Sequence, residues 1–157
     1  MLVTGEIVIE RPIEQVFDYV ADERNEPMYN PRMVRAEKIT SGPIGVGTKF
    51  NSVMTGVGGR VEMTIEFTEF DRPRRIAETT HLSNMDIGGV LLFEPVPEGT
   101  RMKWIWDIEP RGFYRFLGPL VQRMGDRQER AIWTSLKRVV EGSEGRVQRR
   151  TGDADLV

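Results

Sequence analysis

One long amphipathic segment near the end of the chain, with no second helix of comparable length to pack against, constrains the fold most. Phe113 to Glu141 reads as a C-terminal helix. At helical spacing Phe113, Leu117, Leu120, Val121, Met124, Ala131, Ile132 and Val139 fall on one stripe, with Arg115, Arg123, Arg130 and Lys137 opposite. Burying such a stripe contributes roughly 10–20 kcal/mol gross, an upper bound because an unfolded chain is already partly collapsed. Nearly everything before it alternates with period two or is loop, so the stripe is expected to lie across the concave face of an antiparallel sheet. Pro119 divides the segment into a short opening turn and a main helix to Glu141.

The strands that would form that sheet are readable in order. Val3–Glu10 alternates around Ile7 and Ile9. Pro12 then opens a short helix with Ile13, Val16, Phe17 and Val20 at i, i+3, i+4 and i+7, and at most one further helical turn fits before Pro27 and Pro31. Six more strands follow: Met33–Thr40, Thr48–Thr55, Arg60–Phe70, Arg75–Ser83, Asp86–Val96 and Thr100–Glu109. Register is clearest where Val61, Met63, Ile65 and Phe67 alternate with Glu62, Thr64, Glu66 and Thr68. In the last strand Met102, Trp104, Trp106 and Ile108 share the inward face. From Gly142 on, few apolar residues remain and the tail is expected to be disordered.

At 157 residues and 39% hydrophobic content the chain has room for one real core but not two. Its lack of cysteine excludes thiolate catalysis and disulfides, and cytoplasmic residence is the expectation. No basic leader precedes an apolar run, and no stretch approaches the roughly 18 apolar residues of a membrane span. Arg111–Arg150 carries ten basic and four acidic residues although the whole chain is at −2, so the helix side is basic. That face reads as solvated, with a protein-interaction module as an alternative use.

Several segments carry a resemblance. "RPIEQVFDYVAD", "NEPMYNP", "GVGTKF" and "FEPVPEGTRMKWIWDIEPRG" are similar to the first helix, the second-helix and Asn-Pro segment, the Gly-Thr turn and the last hairpin of the polyketide cyclase/dehydrase-like branch of the START-like (SRPBCC) superfamily. The resemblance covers about Val3 to Gly142. It implies an α+β helix-grip (Bet v 1-like) domain over 1–142, with seven antiparallel strands wrapped around a long C-terminal helix, two short helices between strands one and two, and a disordered tail over 143–157. It also implies an apolar cavity between sheet and helix that receives a lipid- or polyketide-like molecule, with no cofactor and no metal. Gly88 and Gly89, and Gln128, Ala131 and Ser135 on the helix, leave space for one.

Strand parity and helical spacing nominate Phe50, Met54, Met63, Phe93, Trp104, Trp106, Met124, Gln128, Ile132 and Ser135 as ligand-binding residues. Neither GPIGVG nor GVGGR joins a parallel strand to a helix, so both are turns rather than phosphate loops. His81 is the single histidine and reads as a surface or rim residue. Glu78 is the one catalytic candidate. If it shares the inward face with Ile76 and Thr80, burial would raise its pKa into the range for acid–base work; a bulge would put it on the solvent face, the reading favoured from sequence. Tyr29 and Asn30 could line a mouth or merely form a turn. The expected function is binding of a small hydrophobic or amphipathic molecule. A cofactor-independent aromatase or cyclase is the alternative; no nucleic-acid partner is expected, and a homodimer is open.

Overall fold

The computed structural model describes residues 1–56 and 58–152; the side chains of Tyr114, Leu117, Leu120, Val121 and residues 143–152 lie outside that description. Seven strands form one antiparallel sheet: β1 (Leu2–Ile9), β2 (Met33–Lys38), β3 (Lys49–Gly56), β4 (Gly59–Asp71), β5 (Arg75–His81), β6 (Met85–Val96) and β7 (Gly99–Pro110). Their spatial order is β1-β7-β6-β5-β4-β3-β2. All neighbours except β1 and β7 are consecutive in the chain, as short connections dictate. Between β6 and β7 the turn is tight enough to need Gly99, which sits at φ +145° with Ile9 O 2.3 Å from where a Cβ would be.

Helix α1 (Ile13–Ala21) and a 3-10 helix (Glu23–Met28) link β1 to β2. Pro12 occupies the cap position of α1, whose buried face is Val16, Phe17, Val20 and Ala21. Phe17 meets Phe70 and Phe93 edge-on at centroid distances of 5.3 and 5.1 Å, so α1 plugs one end of the curved sheet. The next turn stays 3-10 because Pro27 removes an amide donor within it. Asp22 caps it by accepting from Arg24 N, and Asn25 anchors it to Tyr19 O at 2.9 Å.

After β7 a second 3-10 helix (Gly112–Leu117) leads into α2 (Gly118–Gly152). The division near Pro119 is as expected, but the buried stripe of α2 is rotated from the expected one. Phe113 and Met124 are 71% and 60% exposed and Ala131 is exposed, whereas Ile132, Trp133, Leu136 and Val140 are buried. Leu117, Leu120 and Val121 of the expected stripe lie outside the described side chains. Lys137, expected on the outer face, instead turns inward to donate to Val8 O at 2.9 Å and to the Glu141 carboxylate. The backbone also continues as helix ten residues past Gly142, where disorder was expected. Extending a packed helix requires no new nucleus, and Glu144, Arg146, Gln148, Arg149 and Arg150 are adequate helix formers. Residues 153–157 of the expected tail lie outside the described residues.

Candidate functional site

Away from α1, the concave face of the sheet is not filled. A cavity of about 410 Å³ lies between the sheet, the first 3-10 helix and α2. Rows of inward residues follow from the register. Phe67 pairs with Glu78, Glu78 with Gly89, Gly89 with Trp106, and Trp106 with Val3. Paired residues of antiparallel strands share a face, so Glu78 points inward with Phe67 and the solvent-facing reading is corrected. A bulge does occur, but between Phe67 and Glu69 on β4, where it brings Phe70 inward and leaves the parity of β5 intact. Gly89 lets the Trp106 ring lie flat across β6: a Cβ there would be 2.0 Å from the indole and 3.0 Å from Glu78 Cγ. Trp104 lies over Gly5 in the same way, 2.2 Å from the notional Cβ.

Most of the wall is apolar, but four carboxyl groups from three elements face it: Glu23 and Glu26 from the first 3-10 helix, Glu78 from β5 and Glu129 from α2. Glu129 Oε2 accepts from Trp106 Nε1 at 2.8 Å and from Trp133 Nε1 at 3.0 Å. Burial still outweighs these donors and raises the Glu129 pKa to about 7, with Glu26 adding repulsion. Glu78 Oε2 is fully shielded and meets no hydrogen-bond partner. Desolvation, then the charges of Glu26 and Glu129, push its pKa to about 8. Glu23, 8% exposed, is driven well above the carboxylate range by burial and by its acidic neighbours, so it keeps the proton in its hydrogen bond to Glu26. Glu26 is raised by burial, against the opposing hydrogen bonds from Asn30 Nδ2 (2.8 Å) and Glu23. Burial likewise raises the Tyr29 hydroxyl.

At the rim Arg32 spans the opening, donating from Nε to Thr55 O at 3.0 Å and from Nη1 to Gln128 Oε1. Met124 and Gln128 of α2, Gly56 at the β3–β4 turn, and Asn84 and Met85 at the β5–β6 turn complete that edge.

Of the residues nominated from sequence, Met54, Met63, Trp106, Met124, Gln128 and Ile132 line the cavity, as does Glu78. Phe50, Phe93 and Trp104 point inward but are buried in solid core, Phe50 against Phe67 (5.6 Å), Phe93 against Phe17, and Trp104 against Trp133 (5.9 Å). Ser135 is half-buried and off the wall. Parity assigns a face; it does not say whether a helix has filled the space above that face. His81 is exposed, with Nδ1 2.9 Å from Asp86 Oδ1. Tyr29 and Asn30 are both buried and on the wall, as are the unforeseen Glu23 and Trp133, and the half-buried Glu26 and Glu129 join them there. One signal for Glu129 was available: it lies three and four residues before Ile132 and Trp133. Among the described residues no group of three or more His, Cys, Asp or Glu is arranged to hold a metal ion, and no helix is long and apolar enough to cross a membrane.

The family model described as polyketide cyclase / dehydrase and lipid transport matches residues 2–141. No curated protein matches the chain. Solved structures similar to it include a protein of Thermus thermophilus, at 22% identity and TM-score 0.79 over 91% of this chain and 99% of that one. A START superfamily protein of Mycobacterium smegmatis follows at 14% identity and TM-score 0.77, covering 89% and 97%. Ara h 8.0201 is similar at 16% identity and TM-score 0.70, again over 89% and 97%. At these identities the likeness concerns the fold, which is the helix-grip fold.

Proposed function

The chain belongs to the polyketide cyclase / dehydrase and lipid transport family, and on that premise we propose that it binds a small amphipathic molecule in the cavity between the sheet and α2. The observation that carries this reading is the cavity itself. About 410 Å³ is many times the share of one water, and a wall of Met63, Ile65, Ile87, Ile108 and Ile132 gives water few partners. A few carboxyl and amide groups interrupt this apolar wall, which suits a molecule with an apolar body and a polar end. Native mass spectrometry of the purified protein should show small molecules travelling with it. Because Trp106 and Trp133 line the cavity, intrinsic fluorescence should shift as an apolar dye titrates it. A protein free of small molecules, with an unchanged spectrum at saturating dye, would sink the reading.

The carboxyl pair Glu78 and Glu129 supports a second reading, a cyclase- or dehydratase-like activity. Two carboxyls held near 8 and 7 within one apolar site supply an acid and a base at neutral pH. The apolar wall would fold the chain of a poly-β-keto substrate, Glu78 would donate to a carbonyl oxygen, and Glu129 would accept a proton from an adjacent carbon. Under this reading Glu78→Gln retains substrate binding and loses turnover by about 10²-fold or more; turnover at the wild-type rate in that variant counts against it.

A further inference from the structure

Four carboxyl groups share one apolar cavity, and the wall holds almost nothing to balance them. Among the described residues lining it, Arg32 is the one cation, and its guanidinium is engaged at the rim by Thr55 O and Gln128. Buried charge without a partner is costly, and carboxyls so placed stay protonated until a counter-charge arrives. Two further features point to what that counter-charge is. Glu129 Oε2 already accepts two indole N–H bonds, an arrangement that favours a carboxylate over a neutral acid. Glu78 lines the same cavity, and its Oε2 is wholly shielded and meets no hydrogen-bond donor.

Aromatic rings surround Glu129. Trp106 and Trp133 stack at a centroid distance of 6.5 Å and an interplanar angle of 24°. Tyr29 lies 6.1 Å from Trp133. Buried carboxyls held by N–H donors but lacking a counter-charge are the chemistry that recognises an organic cation, which supplies the missing charge. A fatty carboxylate would add a further buried negative charge to this acidic wall with no free cation among the described lining residues to offset it.

Resting on the binding reading above, we propose that the cavity's ligand is an amphipathic organic cation, an ammonium or amidinium head on an apolar body, with the head held between Glu78 and Glu129. The body lies against Met63, Ile65, Ile87 and Ile108. Glu26 and Glu23 on the 3-10 helix form a second acidic layer whose shared proton moderates repulsion until the head enters. The groups facing the head are then Glu78 from β5, Glu129 from α2, and Glu23, Glu26 and Tyr29 from the segment after α1, with Arg32 at the rim.

Four probes with similar ten- or eleven-carbon bodies test this: decylamine, decanol, 2-undecanone and decanoate, titrated below their aggregation limits and followed by calorimetry and tryptophan fluorescence. At pH 7.5 decylammonium should bind about tenfold or more tighter than any of the others. It should also release on the order of half to one proton per molecule bound, read from buffers of different ionisation enthalpy, because the cation lowers the pKa of Glu78 and Glu129. Glu129→Gln and Glu78→Gln are near-isosteric, and each should erase most of the tenfold preference of decylamine over decanol. Equal or tighter binding of the alcohol, ketone or carboxylate overturns the cation assignment and leaves the cavity reading standing. A preference for decylamine that survives both substitutions also overturns it, since the cation would then sit on surface acids. Failure of all four probes overturns both readings.

Discussion

Gly89 is the residue on which the site's geometry turns. Its missing side chain lets Trp106 cross β6 and reach Glu129, while the same space accommodates Glu78 Cγ. Gly89→Ala should therefore destabilise the protein by about 1–3 kcal/mol, since the new methyl group overlaps a ring held on its other face by Trp133. It should also redden tryptophan emission as the Trp106–Glu129 bond breaks. Gly88→Ala, with nothing within 4 Å of its Cβ, is the control and should leave emission unchanged. Glu78 sets a second expectation. Its folded pKa of about 8 is raised from 4.5, so the folded state holds a proton that the unfolded state has lost across that window. Its contribution to stability is fully present below about pH 4.5 and lost as pH rises through 8. Thermal unfolding of the ligand-free protein should accordingly show a midpoint that falls between pH 5 and pH 8. Glu78→Gln should flatten the decline and raise stability at pH 8, because the amide carries no charge to desolvate. A midpoint that rises across this range, or a variant less stable at pH 8, would contradict the inward protonated carboxyl.

At the scale of elements, the strands were legible and the long helix only partly so. Alternation in β4 and β7 named the inward faces correctly because a two-residue period leaves just two choices. A helix offers a continuum of rotations, and α2 buries a stripe through Gly125, Glu129, Ile132, Trp133, Leu136 and Val140. Apolar counting caught Ile132 but missed the rest because Glu129 stands in the middle of the stripe and Gly125 near its start. That glutamate lies inward because it belongs to the site, so the helix broke the pattern where the cavity begins. The site's acids were hidden for a related reason: Glu23 and Glu26 sit in a proline-interrupted turn with no periodicity to reveal a face. Leu136→Ala, at a fully buried position, should cost about 2–5 kcal/mol, whereas Ala131→Ser on the exposed side should change stability by less than about 0.5 kcal/mol. The helix's last described anchor is Glu141, which accepts from Glu10 N at 2.8 Å and whose carbonyl accepts from Arg11. Ending the chain after residue 145 should leave the thermal midpoint nearly unchanged, and Glu141→Ala should lower it.

Across the whole molecule, the concave face has two regions with opposite packing, and substitutions there should behave oppositely. Near α1, Phe17, Phe70, Phe93, Phe67 and Phe50 form a continuous chain of ring contacts with no space left over. Toward the other end, the sheet and α2 enclose the cavity. Phe93→Ala removes a ring from the closed region and should cost about 3–5 kcal/mol through lost burial and the void left behind. Because Phe93 is off the cavity wall, ligand affinity measured well below the lowered midpoint should stay within about twofold. Ile87 sits on the wall, in register with Thr80 and Ile108. Ile87→Trp places a larger side chain where no atoms stand, so stability should shift by less than the roughly 1–3 kcal/mol of overpacking a filled core. Affinity for an apolar dye should fall sharply, because the added ring occupies the ligand's volume. Denaturant titration and dye binding on the two variants check this division: a strongly destabilised Ile87→Trp protein would mean that the interior closes up in solution, and function would then have to be sought on the outer surface.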